Sequence, residues 1–311
     1  MEGPMDTRHS AFAIFRILAV PGVGPGRLWR VRDFANHAHA SLDDLLRRPE
    51  ELRLILSEDQ IRDLQQKEEQ ALEAWAKLRD QEVSVLTIFD EEYPDSLRSI
   101  LAKKAPPLLF VMGNKGLLAK ASMGFCGSRE PSGKGLAVAR ECAVMASKKG
   151  INVVSGYAAG IDMTTHRAAL ETGGTTTIVL AEGLFHFRVK RDLKDQWDWN
   201  RIAVISEYLP SLPWSVSNAM RRNQTICSLS KAMVLIEARE AGGSIEAGRT
   251  CLKLGIPLFA PVYEGMPESA KGNQLLLREG ARSLHKSITT QMPNLKGVFA
   301  AFQSNLHVAV S

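Results

Sequence analysis

Residues 123–183 read MGFCGSREPSGKGLAVARECAVMASKKGINVVSGYAAGIDMTTHRAALETGGTTTIVLAEG, and this stretch decides the fold. Two short apolar runs, 152–155 and 175–180, are rich in β-branched residues and bounded by glycines, as buried strands are. Helical patterns over 136–149 and 162–171 lie before and between them. Strands alternating with helices in this way predict a parallel sheet with right-handed crossovers. Ligands of such sheets sit at the carboxyl ends of the strands. Polar residues fall at those ends here: Gly127-Ser128-Arg129, then Ser155-Gly156, then Gly160-Ile161-Asp162, and finally Glu182-Gly183.

The chemistry of that edge is anion binding. Gly127 lets the backbone approach a ligand closely, Ser128 offers a hydroxyl, and Arg129 offers a planar fork of donors matched to phosphate. Ser132-Gly133-Lys134-Gly135 then opens a helix whose free N–H groups favour a negative charge. Each glycine taken alone is equally well a turn residue. The repetition of strand followed by Gly-Ser-Arg or Ser-Gly points to a site for nucleotide or nucleic-acid phosphate.

The chain has 311 residues, a length that suggests roughly two domains. No run of about 18 or more apolar residues occurs, so no membrane span is expected. The opening MEGPMDTRHS lacks a charged-then-apolar signal pattern, so the expected location is the cytoplasm. Cys126, Cys142, Cys227 and Cys251 are scattered without CxxC spacing, and read as reduced, buried thiols rather than disulfides or metal ligands. No metal and no cofactor is expected. The net charge of +5 leans toward a polyanionic partner.

Upstream, a helical pattern through Phe12, Ile14, Phe15, Ile17 and Leu18 runs into Pro21-Gly22-Val23-Gly24-Pro25-Gly26 and a second helix from Arg27. This is either a helix-hairpin-helix whose turn amides hold a DNA phosphate or a plain helical hairpin. Amphipathic helices continue over 41–80, making residues 1–80 a small all-helical module. Strands over 83–89 and 108–112 then join one edge of the sheet.

Downstream, residues 185–201 interleave Phe185, Trp197 and Trp199 with Arg188, Lys190, Arg191 and Lys194. That mixture suits stacking on unpaired bases, or else an amphipathic helix with core tryptophans. A strand over 203–206, a proline-punctuated loop, and a helix entered through Arg221-Arg222-Asn223 follow. The arginine pair sits at the expected start of that helix. Another strand over 233–237 ends in Gly242-Gly243-Ser244 before a helix, a second unit with the anion-holding logic of the first. A strand at 256–260 and a helix after Lys271-Gly272-Asn273 close the sheet, and a terminal helix is expected beyond Ser287.

Taken together, these motifs resemble the DprA/Smf family of bacterial DNA-processing proteins. Gly127-Ser128-Arg129, the run from Ser155 to Asp162, His166, Ser206-Glu207, Arg222-Asn223, Gly243-Ser244 and Gly272-Asn273 occur in the family's order. The Tyr93-Pro94 turn and the Pro21–Gly24 hairpin also match, so the resemblance covers residues 10–285. It implies an α/β fold: an extended Rossmann-like parallel-type sheet with helices on both faces over 81–285. A small helical domain of the SAM or helix-hairpin-helix kind over 1–80 would precede it, and a tail over 286–311 would follow.

The resemblance further implies a non-enzymatic recombination mediator that binds single-stranded DNA, forms a homodimer and loads RecA in natural transformation. By position, the DNA phosphates would meet Gly127, Ser128, Arg129, Ser155, Gly156 and Ala158 on one wall. Arg221, Arg222, Asn223, Gly243, Ser244 and Lys271 would supply the other. Asp162 and His166 read as a helix cap and a packing or hydrogen-bonding residue, not as a catalytic pair. Four features depart from the family pattern: Gln224 replaces a second arginine, Phe185-His186-Phe187 replaces Tyr-Pro, Glu182 brings a carboxylate to the expected pocket, and the stretch after Arg282 is too short for a winged-helix domain. The alternative from another class is a nucleotide sensor or nucleotide hydrolase of the same superfamily, with phage defence as its setting. Thr172-Gly173-Gly174-Thr175 only partly echoes the glycine motif of those hydrolases.

Overall fold

The computed structural model describes residues 10–303 except Met266. The N-terminal signal reading therefore lies outside the described residues, as does the end of the expected terminal helix. The chain divides into two compact units. One holds the described residues up to Met112, with Glu182–Phe187 and Ile205–Pro213; the other holds Gly113–Ala181, Arg188–Val204 and the described residues from Trp214 onward.

The first unit begins with five helices: α1 (Ala11–Ala19), α2 (Pro25–His37), α3 (Leu42–Arg47), α4 (Glu58–Gln66) and α5 (Glu68–Asp80). Their starts are written into the sequence. Ser10 accepts from the Ala13 amide, and Ser41 with Asp44 and Ser57 with Gln60 form reciprocal capping boxes. Phe12 and Phe15 of α1 pack on Trp75 of α5 with ring centroids 5.3 and 5.4 Å apart. Gly22, at φ +74°, makes the turn into α2. Strands β1 (Ser84–Thr87) and β2 (Leu108–Gly113) pair antiparallel around α6 (Asp95–Leu101). Tyr93 is buried, and its hydroxyl donates to the Pro106 carbonyl at 2.8 Å.

The second unit realises the predicted alternation. It runs β3 (Ser122–Cys126), α7 (Gly133–Lys148), β4 (Asn152–Ser155), α8 (Ile161–Glu171) and β5 (Thr176–Val179). After β6 (Ile202–Ser206) come α9 (Val216–Ser228), β7 (Ala232–Leu235), α10 (Gly243–Lys253), β8 (Leu258–Pro261), α11 (Lys271–Arg278), β9 (Arg282–Leu284) and α12 (Lys296–Gln303). The nine strands follow the order β1-β2-β6-β5-β4-β3-β7-β8-β9. β3 pairs parallel with both β4 and β7, while β5, β8 and β9 extend the parallel ladder outward. Winding thus proceeds one way from β3 through β4 and β5, and the other way from β7 through β8 and β9. A reversal of this kind leaves a crevice at the carboxyl ends of the two central strands.

Helices cover both faces. Met123 and Phe125 of β3, Val153 and Val234 pack with Val138, Ala139 and Cys142 of α7 and with Val298 and Ala301 of α12. On the opposite pleat, a Cβ at Gly248 of α10 would lie 3.0 Å from Leu235 and 2.7 Å from Leu276, so α10 and α11 close directly onto β7. The terminal helix is present as α12, its Val298 fully buried in this core.

Two expectations are corrected. Residues 185–201 form no α-helix; they hold 3-10 turns at Leu184–His186 and Arg191–Gln196. Trp197 and Trp199, two positions apart, cannot share a helical face. Instead they meet edge to face at 5.1 Å, with Trp199 resting against Gly113. The second correction concerns α9, which starts earlier than its arginine pair. Ser215 caps it by accepting from the Asn218 amide at 3.0 Å, so Arg221 and Arg222 lie in the second turn, away from the free amides.

Candidate nucleic-acid interface

A cleft of about 490 Å³ opens at the carboxyl ends of β3 and β7, within the second unit. It gathers nine of the expected residues: Gly127, Ser128 and Arg129 after β3, Gly156 and Ala158 after β4, Arg222 and Asn223 on α9, and Gly243 and Ser244 on α10. Three are not among its lining: Ser155, Arg221 and Lys271. Ser155 is fully buried, with its hydroxyl 2.8 Å from the Phe125 carbonyl and 2.9 Å from Asp162 Oδ1. Arg221 points to solvent from the second turn of α9. Lys271 begins α11 and is ion-paired with Glu268. Glu182 is likewise not among the lining residues, whereas Glu130 and Asp162 are.

Several gathered side chains build the cleft rather than face into it. Ser128 Oγ accepts from the Glu130 amide at 3.1 Å, and Ser244 Oγ donates to the Gly127 carbonyl at 2.8 Å. Arg222 is buried and donates from Nη1 to the Val179 carbonyl at 2.7 Å. A Cβ at Gly156 would fall 2.0 Å from that same Nη1 and 2.5 Å from Asp162 Oδ2, so only glycine fits between the guanidinium and the carboxylate. Arg222 therefore lends positive field through the wall while its Nη1 is committed to the backbone.

Asp162 is the cleft's organiser. It lies in the first turn of α8 behind Gly160, and its carboxylate accepts from the Ala158 amide at 3.1 Å. His166, one turn on and fully buried, has Nε2 2.6 Å from the Gly156 carbonyl and Nδ1 2.6 Å from the Thr176 hydroxyl. A carbonyl only accepts, so Nε2 carries the proton. Burial holds the ring's pKa below its ordinary value and keeps it neutral. The pair fixes the turn after β4: His166 is sealed from the cleft, while Asp162 reaches its lining with its carboxylate engaged by Ser155 and the Ala158 amide. Burial also pushes the Cys126 thiol well above its usual range, which disfavours the thiolate.

The two helix N-termini differ. At α7 the expected anion site is already filled by the chain itself. Glu237, fully buried just past β7, accepts from Ser132 N at 2.9 Å, Ser132 Oγ at 2.5 Å and Ser269 Oγ at 2.7 Å. At α10 the start is Gly242, at φ +113°, with no side-chain cap, and Gly242 and Gly243 lie exposed at the cleft. Those unoccupied amides are the ones that can meet phosphate.

Three cleft residues escaped the sequence reading. Arg239 pairs with Glu130 across the rim at 3.3 Å, both largely exposed, an arrangement weak enough to exchange for a phosphate. Trp214, in the proline-punctuated loop, holds its ring 5.8 Å from the Arg129 guanidinium carbon. Met220 lines the wall beside them. Arg239 stands between a strand and a Gly-Gly-Ser turn, a signal that could have found it; Trp214 had no local signal. Among the described residues no group of three His, Cys, Asp or Glu side chains is arranged to hold a metal, and no helix is long and apolar enough to cross a membrane.

The family model for DNA recombination-mediator protein A matches residues 84–294, more than half of the chain. The DNA processing protein DprA of Bacillus subtilis is 29% identical over 212 residues, covering 67% of this chain and 70% of that protein. Its Streptococcus pneumoniae counterpart is 32% identical over 198 residues, covering 63% of this chain and 69% of that protein. Protein Smf of Escherichia coli is 33% identical over 198 residues, 61% of this chain and about half (51%) of that protein. The solved structure of Streptococcus pneumoniae DNA processing protein A superposes with a TM-score of 0.73 at 26% identity, covering 88% of this chain and 94% of that one. DNA processing protein A of Helicobacter pylori, a structure described for its single-stranded DNA binding mode, gives 0.56 at 24% identity over 65% of this chain and 90% of its own, a likeness of fold. The matched span runs from β1 almost to α12 and takes in every residue of the strand-end cleft, and the sheet is the Rossmann-like one expected. The chain belongs to the DNA recombination-mediator protein A family.

Proposed function

We propose that the chain binds single-stranded DNA in the β3/β7 cleft and acts as a recombination mediator. The observation that carries this reading is the open N-terminus of α10 facing Arg129 and Arg239 in one cleft. Free amides and two solvent-reachable guanidinium groups converge there, a combination suited to a phosphodiester. Contacts of this kind go to the phosphate backbone, so binding through them would tolerate any sequence. The family and the subject of the Helicobacter pylori structure support the choice of DNA. RecA loading, homodimerisation, a cytoplasmic setting and the absence of catalysis belong to the same reading. The burial of Asp162 and His166, the first bonded to Ser155 and the Ala158 amide and the second to Thr176 and the Gly156 carbonyl, supports the last of these.

Fluorescence anisotropy with labelled single-stranded and duplex oligonucleotides at two salt concentrations tests it. Tight, salt-sensitive binding with preference for the single strand is expected; RecA filament assembly on that strand, with and without the protein, then tests loading. Failure to bind either oligonucleotide at low salt would sink the reading. In that event a small nucleotide becomes the better ligand, because a cleft of about 490 Å³ is also of mononucleotide size. Release of free base from nucleoside monophosphates would then identify an enzyme.

A further inference from the structure

We infer that Trp214 is a stacking platform for one unpaired base, set one step along the strand from the phosphate held at Arg129. This rests on the DNA reading above and says how the same cleft would separate single strands from duplex.

Among the tryptophans, Trp214 alone spends its ring on the cleft. Trp29 donates its indole N–H to the Lys103 carbonyl and sits edge-on to Phe89. Trp75 packs against Phe12 and Phe15, and Trp197 and Trp199 pack on each other. Trp214 is 47% exposed at the cleft, and among the described residues no other ring covers it. Its neighbour is a cation, Arg129, 5.8 Å from the ring centroid. Val216, 66% exposed, continues the apolar rim two residues on.

An indole left half in water next to a phosphate-binding arginine is unexplained by packing. Its π-surface is one that any nucleobase can stack on, and Arg129, which lies over the ring, can hold a phosphate beside it. In a duplex each base is already stacked between its neighbours, so the indole can be covered only by a base that has left the stack. Strand selectivity would thus come from one aromatic face, with no base-edge code.

The test compares labelled oligo-dT with an abasic oligonucleotide of equal length, which keeps the phosphates and lacks the bases. Wild-type full-length protein is measured beside W214A, W214L and W214F. Loss of the ring should weaken oligo-dT binding by about ten- to a hundredfold, the range expected for stacking on one base. Affinity for the abasic strand and the salt slope should stay unchanged, and W214F should keep most of the wild-type affinity. W214L preserves apolar bulk at the site, so it carries the comparison even where W214A fails to fold. Equal losses on both oligonucleotides, or no loss on either, would overturn the stacking role while leaving the DNA reading intact. Wild-type protein that binds neither oligonucleotide would overturn both.

Discussion

The starts of α7 and α10 look alike in sequence and behave oppositely in the fold. Each follows a central parallel strand through a Gly/Ser-rich turn, and each begins with a glycine, Gly133 or Gly243. At α7, Ser132 caps the helix and the buried Glu237 carboxylate bonds to Ser132. At α10 there is no side-chain cap, the first-turn Glu246 accepts from Arg249 Nη1 at 2.7 Å, and the amides open on the cleft. A glycine-rich turn is therefore an anion site only where no internal carboxylate has been supplied. The carboxylate that closes α7 comes from 105 residues away in the chain.

The strongest way to break this comparison is to remove the plug. E237A leaves Ser132 N, Ser132 Oγ and Ser269 Oγ without their acceptor in a buried place, and should destabilise the protein by about 2–4 kcal/mol. Denaturant unfolding of the full chain would show it, with E237Q losing less; unchanged stability would mean the carboxylate is not what closes α7. Next in size is a matched pair of charge insertions. Both positions accept a side chain: a Cβ at Gly133 meets nothing within 4 Å, and one at Gly243 meets only Met220 Sδ at 3.9 Å. G243D should weaken single-stranded DNA binding about tenfold at low salt, because a like charge then stands where phosphate would. G133D should change it by less than about twofold; equal effects would erase the distinction between the two helix starts.

A smaller effect is expected from R129A. It should lower affinity and reduce the slope of log affinity against log salt by about one, uniformly over sequences. Anisotropy over a salt series reads both, and an unaltered slope would remove Arg129 from the phosphate contacts.

The smallest effect concerns the far wall, where His166 supports Gly156. Burial lowers its pKa in the folded state, so the unfolded chain binds the proton more readily. Stability should therefore fall as the pH drops below the free histidine value of about 6.5, down to the folded pKa. H166N should flatten that part of the stability–pH curve, and a curve identical to wild type would mean His166 does not couple there.

Much of the fold was legible because its signals are local. Strands such as 152–155, helices capped by Ser10, Ser41, Ser57 and Ser132, and the polar residues at strand ends all declare themselves within a few residues. The segment 185–201 was harder, because its aromatics match no period and its shape follows from packing of Trp199 on Gly113. In the cleft, Gly127, Arg129 and Gly243 were found where expected. Arg222 had the right position and another use: whether an arginine faces solvent or commits its Nη1 to a carbonyl 43 residues away is not a local property. Trp214 was passed over because a lone aromatic in a proline-rich loop acquires meaning only beside Arg129.

The sequence by itself determined that strands and helices alternate, that glycines and hydroxyls end the strands, and that positive charge stands among them. Those properties follow from periodicity and backbone chemistry within a turn or two. Only the tertiary structure decided which of the two helix starts is free, which arginine is reachable and which tryptophan lines the cleft. Placing β7 beside β3 brings Glu237 onto Ser132 and leaves α10 open opposite Arg129, and that adjacency is a consequence of long-range sheet pairing.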